Sequence, residues 1–272
     1  MAGASAAPAR YQGDFLGWDG GALLIGSGAA PIEPHAHYAI QLVVGAPGGL
    51  RVQFGRHAGW QEVAGALVPS RATHTIDVSA CEWTAVVFIE PETAQGRALA
   101  ARLQRSAEPL PAETVRRFGE SLARAWRVER DADAVRAVCT GFITELAQTA
   151  PRDVSDPRVL QAIEFLRTRL GGPVSLDEVA AQVHLSPSRF RHLFVDQTGM
   201  PLRTYLLWRR LLQVWEEVMD GETLAGAAHA AGFADSAHLS RTARTMFGLP
   251  PSAMQMSGPL KASRRAGRPH RG

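Results

Sequence analysis

The C-terminal half of the chain contains the same pattern twice. "SLDEVAAQVHLSPSRFRHLFVDQTG" occupies 175–199 and "TLAGAAHAAGFADSAHLSRTARTMFG" occupies 223–248. Leu176 aligns with Leu224, Ala180 with Ala228 and Leu185 with Phe233, 48 residues apart; Phe190 aligns with Leu239 and Gly199 with Gly248, 49 apart. A repeat of this period is one supersecondary unit used twice, and each copy reads as helix, tight turn, helix. In the first, Ser175 and Glu178 have capping-box spacing, and Val179, Ala180 and Val183 face inward. Ser186 followed by Pro187 then opens a second helix. Phe190, Leu193 and Phe194 form its buried stripe, with Ser188, Arg191, His192 and Val195 on the opposite face. In the second copy Leu224, Ala227 and Ala228 face inward and Gly232 supplies the left-handed stop. Ser236 or Asp235 caps the next helix. Leu239, Ala243, Met246 and Phe247 lie on its inner side, and Ser236, Ser240, Arg241 and Arg244 on its outer side.

Between the copies, "PLRTYLLWRRLLQVWEEVMDG" at 201–221 predicts one long helix, with Tyr205, Trp208, Leu211, Leu212 and Trp215 on its apolar face. About 19 residues make a strut of about 28 Å. Successive major grooves on one face of DNA lie about 34 Å apart. A short helix with a polar, cationic outer face fits a major groove, where Arg pairs with guanine and Ser or His reaches base edges or phosphates. A plain helical bundle with exposed arginines accounts for one copy of the motif. It accounts poorly for two matched copies on a strut of this length.

These segments resemble the DNA-binding domain of AraC/XylS-type transcription regulators. The resemblance covers about 100 residues, 156–256, and is carried by "SLDEVA", "LSPSRFRHLF", "TGMPLRTYL", "AAGFADSAHLSRTARTMFG" and the closing "PPSAM". It implies base-reading helices at 187–197 and 236–247. Ser188, Arg191 and His192, with Arg189 beside them, match the first contact set. Ser236, Ala237, Ser240 and Arg241 match the second. Ala243 and Met254 depart from the family, which favours bulky aromatics there. The resemblance further implies promoter DNA and RNA polymerase as partners, a homodimer, an effector-responsive activator and a cytoplasmic location.

Net charge alone would not have led to DNA. Residues 1–150 carry 13 Arg/Lys against 15 Asp/Glu, and residues 151–272 carry 16 against 11. The whole excess lies in the tail 257–272, with Lys261, Arg264, Arg265, Arg268 and Arg271, which is expected to be a disordered basic segment. The two cysteines, Cys81 and Cys139, suit reduced thiols better than a disulfide framework. The N-terminus lacks the apolar core of a secretory signal, and no stretch approaches the ~20 apolar residues of a membrane span.

Residues 11–90 read as β. "ALLIGSG", "YAIQLVVG", "LRVQFG", "ALVPS", "HTIDVS" and "WTAVVFIE" are short apolar runs punctuated by Gly, Pro and Ser. Residues 92–149 have helical spacing. "APRDVSD" reads as a linker over 150–155, ahead of Asp156 as an N-cap. The fold class is therefore α+β in two domains. For residues 11–149 the resemblance implies a cupin-like β-barrel over 11–90 followed by dimerising helices over 92–149. Residues 156–256 form an all-α domain with two helix-turn-helix motifs.

One further constellation stands in the first half. "EPHAHYAIQLVV", 33–44, places His35 and His37 two residues apart, so that a strand would turn both to one face, with Gln41 further along it. His35-x-His37-x3-Gln41 resembles the first cupin motif, and "GALVPSRATHTI" with Pro69 and His74 resembles the second. Three histidines and a carboxylate would bind Zn, Fe, Mn, Ni or Cu. Here Gln41 replaces the carboxylate, with Glu33 and Cys81 as alternative ligands. Three readings follow. The histidines face solvent while Tyr38, Ile40, Leu42 and Val44 form the core face; or His35, His37, Gln41 and His74 bind an organic effector in an internal pocket; or His35, His37 and His74 hold a divalent metal. The competing functional class is a metal-dependent cupin enzyme, a dioxygenase or isomerase, fused to a DNA-binding domain.

Overall fold

A computed structural model describes residues 10–28, 31–55, 58–148 and 156–257. The expected linker at 150–155 and the tail beyond Ser257 lie outside the described residues. The N-terminal part is built from β1 (Tyr11–Trp18), β2 (Gly21–Gly28), β3 (Ile32–His35), β4 (Ile40–Ala46), β5 (Leu50–Phe54), β6 (Gln61–Val63), β7 (Gly65–Val68), β8 (His74–Asp77) and β9 (Trp83–Ile89). Three helices follow, α1 (Ala94–Leu103), α2 (Ala112–Ala123) and α3 (Ala132–Ala147), with the short strand β10 (Glu108–Pro109) after α1. The chain continues through α4 (Pro157–Arg167), α5 (Leu176–Gln182), α6 (Pro187–Thr198), α7 (Leu202–Met219), α8 (Leu224–Ala230) and α9 (Ser236–Phe247), and closes with β11 (Met254–Met256). This is the α+β, two-part architecture that the sequence predicts.

The strands form a seven-stranded sheet, β10-β7-β4-β9-β2-β1-β11, and a four-stranded sheet, β3-β8-β5-β6. They share an interior: Val43, Ala66, Val86 and Phe88 of the larger sheet pack in one core with Leu50, Val52 and Ile76 of the smaller. Alternation along β4 explains the layering. Ile40, Leu42 and Val44 point out of the sandwich into a second core with Leu99, Leu103, Phe118, Leu122 and Phe142 of α1–α3. Ala39, Gln41 and Val43 point inward. A strand covered on both faces has no solvent side. The reading that left the histidine face of this segment in water is thereby corrected.

The helices start where short polar side chains can take up free backbone N–H groups. Thr93 accepts from Gly96 N at the head of α1, and Asp131 from Asp133 N and Ala134 N at the head of α3. Asp156, with Pro157 behind it, opens α4. Ser175 accepts from Glu178 N at the start of α5, while the Glu178 carboxylate pairs with Arg169. The strut α7 has 18 residues, about 27 Å, and buries Tyr205, Trp208, Leu211, Leu212 and Trp215.

The two parts share one apolar core. Phe88 of β9 lies 5.3 Å from the Trp208 ring and stacks on Phe247 at 5.2 Å. Tyr38 meets Tyr205 edge-on at 5.8 Å. Arg209 on α7 forms a buried ion pair with Glu90, and Arg167 pairs with Asp19. β11 runs parallel to β1, with Tyr11 opposite Met254 and Gly13 opposite Met256, and Ser257 N–H donates to the Gly13 carbonyl at 2.8 Å.

Candidate nucleic-acid interface and histidine core

The two candidate reading helices are held the same way. α6 begins at Ser186, whose Oγ accepts the Arg189 N–H at 3.4 Å, and ends at Gly199 in the left-handed region, φ 79°. Phe190 and Phe194 are fully buried with rings 5.4 Å apart. That anchoring leaves Ser188, Arg189, Arg191 and His192 exposed. In α9 the cap is Asp235, not Ser236: its carboxylate accepts the His238 N–H at 2.6 Å. Leu239, Ala243, Met246 and Phe247 are buried; Ser236, Ala237, Arg241 and Arg244 are exposed and Ser240 is half-buried.

Charge pairing separates these arginines from others of the chain. Arg116 pairs with Glu113 and Glu120, Arg117 with Glu145, Arg127 with Glu82 and Arg136 with Asp133. Among the described residues, Arg189, Arg191, Arg241 and Arg244 have no carboxylate partner. Between the two motifs runs an open groove of about 520 Å³ whose polar lining is Arg191, Arg203, Arg210 and His238. An unpaired guanidinium on a short exposed helix can meet a phosphate or a guanine edge without first breaking an ion pair.

The histidines converge by a different route from the expected one. His35 ends β3 in the small sheet, whereas Gln41 lies on β4 in the large one, and His37 sits in the crossing segment between them. A change of sheet, not strand alternation, therefore brings His35 and His37 together. His74 opens β8 and pairs in register with His35. The three are 5%, 3% and 0% exposed, and one ring nitrogen of each lies within 4.8 Å of the other two. Burial pushes His35 down to about 3 and His37 to about 4, and holds His74 well below the usual imidazole range. All three rings are neutral near pH 7.

Their hydrogen bonds fix the tautomer. Nδ1 of His35 faces the Glu33 carbonyl at 2.8 Å, that of His37 the Ala39 carbonyl at 2.8 Å, and that of His74 the Ala72 carbonyl at 2.8 Å. A carbonyl only accepts, so each Nδ1 carries the proton and each Nε2 presents a lone pair. The alternative ligands are excluded by position. The Glu33 side chain is exposed, and Cys81 Sγ donates to the Gly49 carbonyl at 3.2 Å, outside the cluster. The cavity that reaches His35 and Gln41 is about 30 Å³ and is otherwise lined mainly by apolar side chains, Leu24, Ile76, Val86 and Phe88 among them. An apolar hollow of about 510 Å³ lies outside the sandwich, beside Pro47, Trp83, Val115 and Gly119.

Comparison with known proteins fits this geometry. The family model "Helix-turn-helix domain" matches residues 179–257. The chain is 34% identical over 89 residues to the HTH-type transcriptional activator RhaR of Pectobacterium atrosepticum, covering 32% of this chain and 31% of RhaR. The C-terminal part is an AraC-type helix-turn-helix domain. A second relative of the AraC-type domain is the HTH-type transcriptional regulator GbdR of Pseudomonas aeruginosa. It is 25% identical over 107 residues, 39% of this chain and 29% of GbdR. The chain thus spans about a third of the length of the curated relatives it matches. The fold of the whole, AraC-type domain included, is similar to that of ToxT from Vibrio cholerae O395. The TM-score is 0.55 at 10% identity, over 90% of this chain and 94% of that one.

Sequence reasoning missed the seam between the AraC-type domain and the sandwich. Its signals were visible: Glu90 ends the apolar run "WTAVVFIE" and Arg209 interrupts "YLLWRRLL". A charge inside an apolar run that must be buried needs a partner. Gly248 is another. A Cβ there would lie 2.5 Å from Ile32 Cγ2 and 2.7 Å from His35 Nδ1, so α9 ends directly against the histidine cluster.

Proposed function

We propose that the protein is a sequence-specific DNA-binding transcription regulator that reads promoter DNA with α6 and α9. The observation that carries this reading is the pair of matched helices with unpaired arginines, joined by one strut of about 27 Å. Ser188, Arg189, Arg191 and His192 supply the contacts of one helix, and Ser236, Ser240 and Arg241 those of the other. The sandwich receives the effector, and its signal biases the arrangement of the two parts. ToxT, of similar fold, has been solved bound to an unsaturated fatty acid, so a chain of this fold can hold a small ligand. Activation, contact with RNA polymerase, a cytoplasmic location and pairing of two chains through α1–α3 belong to the same proposal.

The direct test is DNA affinity. With a site obtained by selection from genomic fragments, Arg191→Ala or Arg241→Ala is expected to lose about 1–3 kcal/mol where the arginine reads a base, and to flatten the salt dependence where it meets a phosphate. Full affinity and an unchanged salt slope in both variants would reject the docking. Light scattering at micromolar concentration, with and without DNA, should give the mass of a dimer; a monomer in both conditions rejects the pairing.

A further inference from the structure

We propose that His35, His37 and His74 bind one divalent transition-metal ion, with Gln41 as the adjoining oxygen donor, and that its occupancy sets how the end of α9 is held. The proposal deepens the regulator reading by naming the effector class.

The case for a cation begins with the lone pairs. One ring nitrogen of each histidine lies within 4.8 Å of those of the other two, and the polar group beside His37 and His74 is also presented as an acceptor. Gln41 Oε1 lies 2.7 Å from His37 Nε2 and 3.4 Å from His74 Nε2. Gln41 Nε2 is buried without a partner, and Gln41 is 1% exposed. Buried acceptors facing acceptors are unfavourable unless a positive centre lies between them, or the amide turns its NH2 toward the rings. The backbone carbonyls on all three Nδ1–H groups are the outer partners that orient metal-bound imidazoles and raise their basicity.

The donor set selects the metal. Three imidazole nitrogens and a neutral oxygen suit Zn²⁺, Co²⁺, Ni²⁺ or Cu²⁺, whereas Ca²⁺ and Mg²⁺ require oxygen cages. Bonds of about 2.0–2.1 Å would hold the nitrogens about 3.3 Å apart in a tetrahedral set, against separations of up to 4.8 Å allowed by the present cluster.

The consequence for α9 follows from what lies between His35 and His37. Ala36 N–H donates to the Thr245 carbonyl of α9 at 3.3 Å. Gly248 backs onto His35, and the Trp208 ring is 6.1 Å from that of His37. Drawing the rings onto one ion moves the segment to which the last turn of α9 is attached. The Arg241 face of α9 lies one turn away.

The experiment uses untagged full-length protein, stripped with a chelator and desalted. Titration with Co²⁺ and Zn²⁺ should give one ion per chain by calorimetry and elemental analysis, with visible d–d bands of low-coordinate Co²⁺. His74→Ala should lose the bands and at least tenfold in affinity. Gln41→Glu, which restores a carboxylate, should keep the fold and bind at least tenfold more tightly. Failure of both wild type and Gln41→Glu to bind either ion overturns the site, as does binding unaltered in His74→Ala. Exchange protection of the Ala36 amide should change at least fivefold on loading; an unchanged rate with metal bound overturns the link to α9. Neither readout requires DNA. Loss of DNA binding in every state would therefore count against the regulator reading and leave the metal result standing.

Discussion

Glu92 shows how one side chain can tie the two parts of the molecule to pH. Its Oε2 accepts the Tyr38 hydroxyl at 2.6 Å, Glu90 is its like-charged neighbour, and Arg209, whose charge acts the other way, is paired with Glu90. Burial, then Glu90, lifts the Glu92 carboxyl from 4.5 to about 8. Between those values the folded chain keeps a proton that the unfolded chain has released. The contribution of this carboxyl to stability is therefore full below about 4.5 and is lost as pH rises toward 8. Glu92→Gln retains an acceptor for Tyr38 and should remove that slope from a profile of melting temperature against pH. A slope that survives the substitution assigns the titration to another group. At this scale the sequence was informative about identity and less so about placement. The H-x-H spacing and His74 picked out three rings that do converge, but the strand geometry invoked for His35 and His37 does not hold, because the chain changes sheets between them.

Elements were legible where a periodic stripe met a clear stop. The stripes of α6 and α9 are buried as read, with caps at Ser186 and Asp235 and left-handed glycines at 199 and 248. Phe190→Ala opens a cavity under α6 and should cost about 3–5 kcal/mol, measured by chemical denaturation; a loss below about 1 kcal/mol would mean that the helix is not anchored there. β4 was harder to read. Its even face is clearly apolar, which leaves open whether the odd face meets solvent or an interior; the odd face is buried too, under the smaller sheet. Periodicity reports which face is more apolar, not whether the other is covered. The short strands β6, β10 and β11 carry too few residues for any alternation to register.

For the molecule as a whole, the shared core predicts cooperativity. Trp208, Tyr205, Phe247 and Met254 of the AraC-type domain are buried in one cluster with Phe88, Tyr38 and Leu24 of the sandwich. Calorimetry should show one unfolding transition, since neither part keeps its core when the other melts; two separated transitions would mean that the seam contributes little. Arg209→Ala leaves Glu90 buried without its cation and should lower stability by about 3–5 kcal/mol, which denaturant titration would measure. The aromatic residues of this seam come from distant stretches and each looks locally like ordinary core, so only the charges Glu90 and Arg209, set in apolar runs, marked it in the sequence. The parallel ladder of β11 on β1 adds a mechanical consequence. The reading domain is held along the seam and, at its far end, by three residues clasped to the first strand. Load placed on α9 by a bent duplex is delivered to β1 and so to the sheet over the histidines. Releasing that clasp would turn a pinned beam into a cantilever, with the swing of the reading helices as its free end.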